Sequence, residues 1–220
     1  MLMIRRAMVF LFLIAVFMLV LLAVLYVPGG FRQEMEEVSA WVESRGPFLF
    51  FTLMALLPLA GIPITPFYLT AGAVFEPVVS LPGTALALIL NHLAAFVLGR
   101  GTLRPLLAFL LRKTGFQLSE PGKAGSLSTA LVLKLTPGPP MFLRNYLMAM
   151  AGIPLWIFLL VSWPLSLAYA VPAVLLGDSA VEGRSGMAGM ALLILLGVGL
   201  LTYFLRLRML KRKPPSENLT

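Results

Sequence analysis

Residues Leu133–Tyr146 read LKLTPGPPMFLRNY, and the rest of the chain is best interpreted outward from them. The stretch lies in apolar sequence, yet it carries Lys134, Arg144 and three prolines. Proline lacks a backbone donor and clashes with the preceding turn, so the run Pro137–Pro140 cannot continue an α-helix. Non-helical backbone inside a membrane persists only where protein or a water-filled cavity satisfies its polar groups. We interpret this run, called the second break, as the tip of a re-entrant hairpin.

The composition is that of an integral membrane protein. Of the 220 residues, 60% are hydrophobic and only 12% are charged, whereas typical soluble domains carry about 25% charged residues. The net charge of +8 comes from residues that flank apolar runs, so we expect anionic lipid, and not nucleic acid, as its partner. The chain has no cysteine, which excludes disulfides and thiolate metal sites, and we expect no metal and no cofactor.

Apolar runs predict an all-α membrane protein with about four transmembrane helices. The first span is predicted at 1–28, because its apolar run exceeds the core of about 7–15 residues found in secretory signals. Segment 29–46 carries four glutamates around Trp41 and predicts an interfacial amphipathic helix, with a soluble loop as the alternative. Further spans are predicted at 81–98, 155–176 and 187–205, with a basic loop at 99–125 and a basic tail at 206–220.

Segment 47–75 is apolar but interrupted by prolines and glycines. A kinked full span is one interpretation and a re-entrant hairpin is the other. The hairpin agrees better with charge: with a cytoplasmic N-terminus, the basic N-terminus, loop 99–125 and tail 206–220 all fall inside. A full span at 47–75 would place loop 99–125 outside. We therefore predict a multi-pass protein of the cell inner membrane, with both termini cytoplasmic.

The proline pattern of the second break occurs once more. Pro63-Ile64-Thr65-Pro66, called the first break, has the same P-x-x-P spacing as Pro137-Gly138-Pro139-Pro140. The same offset, 137 − 63 = 74 residues, carries the span at 81–98 onto 155–172. Hairpin 47–75 and hairpin 126–150 would enter from opposite sides, which predicts an inverted repeat. Broken helices that meet near the midplane of such a repeat are typical of transporter sites.

Several short motifs occur in a fixed order across Pro47–Gly177. They are Gly61-x-Pro63-x-x-Pro66, Ala71-Gly72-x-x-Phe75, Phe96-x-Leu98-Gly99-Arg100, Leu135-x-Pro137-x-x-Pro140, Asn145, Gly152 and Phe158. In this order they resemble the VTT-domain family of integral membrane proteins (DedA-like, SNARE-associated Golgi proteins). The resemblance implies a lipid scramblase or carrier, such as the members that return undecaprenyl phosphate across the inner membrane, and for some members coupling to the proton gradient.

The chain departs from the family pattern at two places. Lys134 stands where members commonly have arginine, which keeps the charge but loses the bidentate fork. The DedA branch has a carboxylate in its first hairpin, whereas no Asp or Glu lies between Ser44 and Phe75 here. The resemblance is therefore closer to the eukaryote-like VTT branch, for which downhill scrambling is the expectation.

The predicted substrate site surrounds the two breaks. Lys134 and Arg144 would attract an anionic headgroup, unless both side chains extend to the membrane surface. Asn145 would bind the headgroup or satisfy carbonyls freed by the prolines. The helix N-termini that follow the breaks would supply amide donors. The predicted binding residues are Lys134, Arg144, Asn145, Pro63, Pro66, Pro137 and Pro140.

Two residues are candidates for a proton site. Glu76 is the carboxylate nearest to hairpin 47–75, and His92 is the single histidine and lies within a predicted span. The alternatives are an interfacial anchor for Glu76 and a neutral packing role for His92. Gly189, Gly197 and Gly199 would let the last span pack closely, which suggests a homo-oligomer.

The leading hypothesis is a carrier or scramblase for a phospholipid or polyprenyl-phosphate headgroup, whose tail stays in the bilayer. The alternative is a membrane assembly or trafficking factor without transport activity. An enzyme is not expected, because His92 has no acidic partner in its span and the chain offers no cluster of catalytic or metal-ligating residues.

Overall fold

The computed structural model describes residues 29–113, 127–135, 140–183 and 185–211. The predicted first span, most of the second break and the end of the basic tail lie outside the described residues. Within them, every regular element is helical. In chain order the α-helices are α1 (Gly29–Leu56), α2 (Thr65–Val74), α3 (Pro77–Arg100), α4 (Arg104–Lys113), α5 (Leu127–Leu135), α6 (Met141–Met150), α7 (Leu155–Glu182) and α8 (Ser185–Lys211).

Among the described residues, four stretches of helix are long and apolar enough to cross a membrane. Pro77–Arg100, Leu155–Glu182 and Gly186–Leu205 coincide with three of the spans predicted from the sequence. The fourth, Ala40–Ala60, overlaps the segment for which a kinked span and a hairpin were both considered. The helical fold is therefore confirmed for the described residues, and the four apolar helices support the prediction of a membrane protein.

The first break interrupts the helix where the prolines predict an interruption. A 3₁₀ helix, Leu57–Ala60, follows α1, and Gly61 then turns the chain with a left-handed φ of 96°. α2 starts at Thr65 with Pro66 in its first turn, where the missing N–H has no intrahelical partner to lose. With 10 residues, α2 is about 15 Å long, roughly half the hydrocarbon thickness.

The second break separates two helices that are equally short. α5 ends at Leu135 and α6 begins at Met141 after Pro140. Residues 136–139, which include Pro137, lie outside the described residues. α5 has 9 residues and α6 has 10, so neither can cross the membrane alone.

Residues from Arg45 onward form one compact unit, at whose centre α3 and α7 pack together. Phe96 of α3 and Phe158 of α7 contact each other with ring centroids 5.4 Å apart. The short helices pack on these long ones, α6 against α3 and α2 against α7. The contact between α2 and α7 is close at Gly72, where any side chain would collide with the backbone carbonyl of Val174.

α7 extends further than its apolar run suggests. The sequence places the end of this span at 176, whereas the helix continues to Glu182 and ends at Gly183 with a left-handed φ of 67°. Pro164 and Pro172 lie inside α7 without ending it, since packed neighbours can support the backbone groups that proline frees. Asp178 therefore lies on a helix and is buried, although it follows the end of the span predicted at 155–176.

Candidate functional site

The helix that follows the second break contacts the chain that precedes the first break, inside the compact unit. The Tyr146 hydroxyl of α6 donates a hydrogen bond of 2.9 Å to the carbonyl of Leu59 in the 3₁₀ helix. The ring of Phe142 lies 3.3 Å from the position that a Cβ on Gly61 would occupy. The first turns of α6 therefore contact the chain just before the first break.

Lys134 lies beside this meeting point, in the last turn of α5. Its side chain is only 3% exposed, so it does not extend to the surface. The ammonium Nζ donates to Oδ1 of Asn145 at 2.6 Å, and no carboxylate of the described residues forms an ion pair with it. An ammonium removed from water is costly unless it is paired. Lys134 is thus a buried cation whose described partner is neutral.

Asn145 continues the contact from Lys134 towards α3. Because its Oδ1 accepts from the ammonium, the network assigns its amide Nδ2 to Nδ1 of His92, 3.4 Å away. That imidazole nitrogen must then accept, so the ring proton lies on Nε2. Nε2 is 3.1 Å from Oγ of Ser166 on α7. We call Lys134, Asn145, His92 and Ser166 the polar row.

The polar row draws one residue from each of four helices, α5, α6, α3 and α7. Each of its members is at most 4% exposed, and the ring of His92 also packs edge-on against Phe158 at 6.1 Å. The direction of each hydrogen bond depends on the one before it. The row is therefore consistent with a neutral His92 that carries its proton on Nε2, while Lys134 donates at the other end. A second proton on His92 would place its Nδ1–H against the Asn145 amide.

Arg144 joins the polar row through the backbone. Its Nη1 donates to the carbonyl oxygen of Lys134 at 2.8 Å, in the last turn of α5, where carbonyls lack intrahelical partners. Its Nε is buried without a partner among the described residues. Arg144 therefore closes the end of α5 and keeps an unused donor beside the second break.

Two further polar contacts connect the helices around the site to the first break. Nδ2 of Asn91, in α3, donates to the carbonyl of Ala55 at 2.8 Å, in the last turn of α1. Together with Tyr146, it satisfies carbonyls that the interrupted helix would otherwise leave unpaired. Neither Tyr146 nor Ser166 was expected at the site from sequence. The 74-residue offset could have identified Ser166, because 166 − 92 = 74.

The structure separates some of the predicted residues from the polar row. Glu76 precedes α3 and lies 92 − 76 = 16 residues before His92, which corresponds to about 24 Å along a helix. Pro63, Pro66 and Pro140 are exposed at the breaks, and Pro137 lies outside the described residues. Within the described ranges, no group of three His, Asp or Glu side chains is placed to hold a metal ion.

Comparisons with known proteins identify no relative from which a role for these residues could be taken. No family model, curated protein or solved structure matches the chain. Membership of the VTT-domain family therefore stays a prediction.

Proposed function

We propose that this protein is a membrane carrier or scramblase that moves an anionic lipid headgroup across the bilayer between two re-entrant hairpins. The substrate would be a phospholipid or a polyprenyl phosphate, and its tail would stay in the hydrocarbon. The observation that carries the proposal is the buried side chain of Lys134, whose Nζ is bound by neutral Asn145 in the helix that follows the second break. A phosphate would supply the negative charge that this position lacks.

The course of α6 supports a re-entrant second hairpin. Asn145 lies beside His92, and further along the chain Arg100, the last residue of α3, donates to the carbonyl of Ile153 at 3.0 Å. α6 therefore runs alongside the second half of α3, from the second break towards the end of α3. His92 is 100 − 92 = 8 residues from that end, or about 12 Å. Such a depth lies within a hydrocarbon layer of about 30 Å.

Reciprocal contacts support the inverted repeat. The offset of 74 carries α2, Thr65–Val74, onto 139–148, which nearly coincides with α6 at Met141–Met150. Each short helix packs on the long helix of the other half. Under this offset, the contact between Gly72 and Val174 corresponds to a contact between Tyr146 and residue 100. The structure has a contact one residue away, because the Tyr146 ring lies 3.2 Å from the position that a Cβ on Gly99 would occupy.

The pair His92–Ser166 has a special position in this repeat. Each residue is the counterpart of the other under the 74-residue offset, and the two are hydrogen-bonded. A residue that contacts its own counterpart lies on the two-fold axis that relates the halves. The polar row would thus cross the centre of the repeat, where transporter sites occur.

The chemistry of headgroup binding follows from these contacts. A phosphate oxygen would replace Asn145 as the acceptor for the Lys134 ammonium, and the unused Nε of Arg144 would supply a second charge-assisted donor. No carboxylate between Ser44 and Phe75 is available for proton exchange, so we include downhill scrambling in the proposal. We propose in addition that the fold is of the VTT-domain type and that the basic segments face the cytoplasm.

Reconstitution into liposomes with a fluorescent phosphatidylglycerol tests the proposal. In protein-containing liposomes, a membrane-impermeant quencher should bleach lipid from both leaflets, whereas in empty liposomes it reaches the outer leaflet alone. Lys134→Gln and Arg144→Ala should each slow the second phase at least about tenfold, because each removes a charge-assisted donor. Arg208→Gln, an exposed charge at the end of α8, is the matched control.

Two results would contradict the proposal. Bleaching of the inserted wild-type protein identical to that of empty liposomes would favour an assembly or trafficking factor. The second result is an equal bleaching rate for the wild-type protein and both site variants, with all of them inserted. Lipid movement would then not depend on Lys134 or Arg144.

A further inference from the structure

A second basic site lies at the end of α3, away from the polar row. A cavity of about 220 Å³ opens where α3, the start of α4 and the turn after α6 meet. None of its lining residues belongs to the predicted substrate site. They are Arg100, Arg104, Ala149, Met150 and Gly152.

Arg100 is held in one orientation at this cavity. Its Nη2 donates to the Ile153 carbonyl at 3.0 Å, and its guanidinium carbon lies 4.5 Å from the centre of the Phe96 ring. Stacking on an aromatic face and one fixed hydrogen bond restrict the side chain before any ligand binds. A ligand that uses the remaining N–H groups would therefore lose less side-chain entropy on binding.

Arg104 supplies a second positive charge at the same cavity. It is the first residue of α4 and is exposed. Its backbone N–H donates to the carbonyl of Gly101, and its guanidinium has no hydrogen bond or ion pair to another residue of the described ranges. The amide groups of the first helical turn add a positive potential there. Two guanidinium groups thus line one small cavity without a carboxylate among its lining residues, and an anion between them would relieve their repulsion.

The cavity lies at the depth of the lipid headgroups. α3 has 24 residues and is about 36 Å long, slightly more than the hydrocarbon thickness, so its last residue lies at the membrane surface. Beside Arg104, α4 exposes Leu106 (54%) and Phe109 (56%), as a helix lying in the interface does. An occupant of the cavity would therefore have acyl chains next to it.

We infer that this cavity binds the phosphate group of an anionic headgroup, with Arg100 and Arg104 as its two donors. Its volume of about 220 Å³ is smaller than the roughly 300–1,000 Å³ of pockets that enclose a whole small molecule, so it accommodates a headgroup without its chains. Basic pockets between membrane helices are known positions for anionic lipids. The inference rests on this cavity alone and does not require transport through the polar row.

Binding to the purified full-length protein in neutral detergent tests the inference. The probes are short-chain phosphatidylglycerol, short-chain phosphatidylcholine and inorganic phosphate, each titrated while protein fluorescence or native mass is recorded. We expect saturable binding of phosphatidylglycerol that is weakened at least about tenfold in Arg100→Gln/Arg104→Gln, because two charge-assisted contacts are lost. Arg208→Gln removes the same charge beside a cavity that contains no second arginine and should leave binding unchanged.

The probes separate the two sources of phosphate. Binding of phosphatidylglycerol alone supports a lipid headgroup, and arginine-dependent binding of inorganic phosphate as well supports a site open to free phosphate. Equal binding by the double variant and the wild-type protein would overturn the inference, as would an equal loss in Arg208→Gln. If the double variant does not fold, Arg104→Gln alone serves, because the Arg104 guanidinium has no described hydrogen bond to lose. If the wild-type protein binds phosphatidylglycerol at this cavity but bleaches like empty liposomes, only the proposed function is contradicted.

Discussion

Lys134 is the residue on which the proposed function depends most. Membrane proteins usually place such a cation at the interface, or pair it with a carboxylate. Here the ammonium is buried and hydrogen-bonded to an amide oxygen. An amide stabilises a cation less than a carboxylate does, but it can be displaced by an incoming anion without leaving a stranded negative charge. The pairing is therefore suited to a transient anionic ligand.

We predict that Asn145→Asp will yield a stable protein with impaired lipid movement. The new carboxylate would pair permanently with Lys134 and compete with the headgroup phosphate, so the liposome bleaching rate should fall at least about tenfold. The thermal unfolding temperature in detergent should not fall, because the ammonium keeps an acceptor and the ring proton of His92 can move to Nδ1. His92 would then donate to the new carboxylate and accept from the Ser166 hydroxyl.

Asn145→Leu is the matched variant for this prediction. It leaves both Lys134 and His92 without the amide, at a cost of about 1–3 kcal/mol for each unsatisfied buried group, so its unfolding temperature should drop clearly below that of Asn145→Asp. Unchanged lipid movement in Asn145→Asp would show that the ammonium does not meet the substrate.

At the scale of elements, the short helices are positioned by close backbone contacts with the long ones. Gly72 of α2 lies against the carbonyl of Val174, and Gly177 of α7 lies against the carbonyl of Leu69. Two glycines that face each other's helix permit a separation that any side chain would prevent. This contact also explains why α7 continues beyond Leu176: its last turns are covered by α2, and Asp178 is buried with them.

We predict that Gly72→Ala will destabilise the protein by about 1–3 kcal/mol, the usual cost of overpacking a close contact. The added methyl group would meet the backbone of Val174, which cannot move away as a flexible side chain would. Thermal unfolding in detergent measures the effect. Gly186→Ala is the control, since a Cβ at Gly186 has no neighbour within 4 Å; equal unfolding temperatures for the two variants would contradict the packing described here.

At the scale of the whole molecule, segment 47–75 either returns to its own side of the membrane or crosses it. The stretch Ala40–Ala60 is long and apolar enough to span, but its backbone is non-helical at Gly46, where φ is 78°. Helix α2 is too short to span. The two interpretations differ in which side of the membrane loop 99–125 faces. Charge favours the hairpin, since basic segments remain in the cytoplasm.

We predict that Glu43 and Thr102 face opposite sides of the membrane. Both residues are exposed, and the chain has no native cysteine, so Glu43→Cys and Thr102→Cys each carry one unique thiol. A membrane-impermeant maleimide applied to intact cells should label Glu43→Cys, and it should label Thr102→Cys only after the cells are opened. Labelling of both positions in intact cells would establish a full span at 47–75 and exclude the hairpin.

The local features of this protein could be predicted from sequence because their causes are local. Proline and glycine act on the backbone within one turn, so the interruptions at Pro63 and Pro140 were visible without any tertiary information. Long apolar runs likewise predict α3, α7 and α8, since length and hydropathy suffice to identify a span.

The partners of the polar side chains were decided by the tertiary structure. Lys134, Asn145, His92 and Ser166 are separated by 11, 53 and 74 positions in successive contacts, and Ser166 resembles any other serine in an apolar helix. In the sequence, Arg100 and Arg104 indicate only the topology. In the structure, the end of α6 and the turn after it form a cavity beside these two arginines. Sequence determines where the chain must break, because steric and solvation costs arise within a few residues. Which buried groups then meet depends on how four helices pack, because hydrogen bonds form across space and not along the chain.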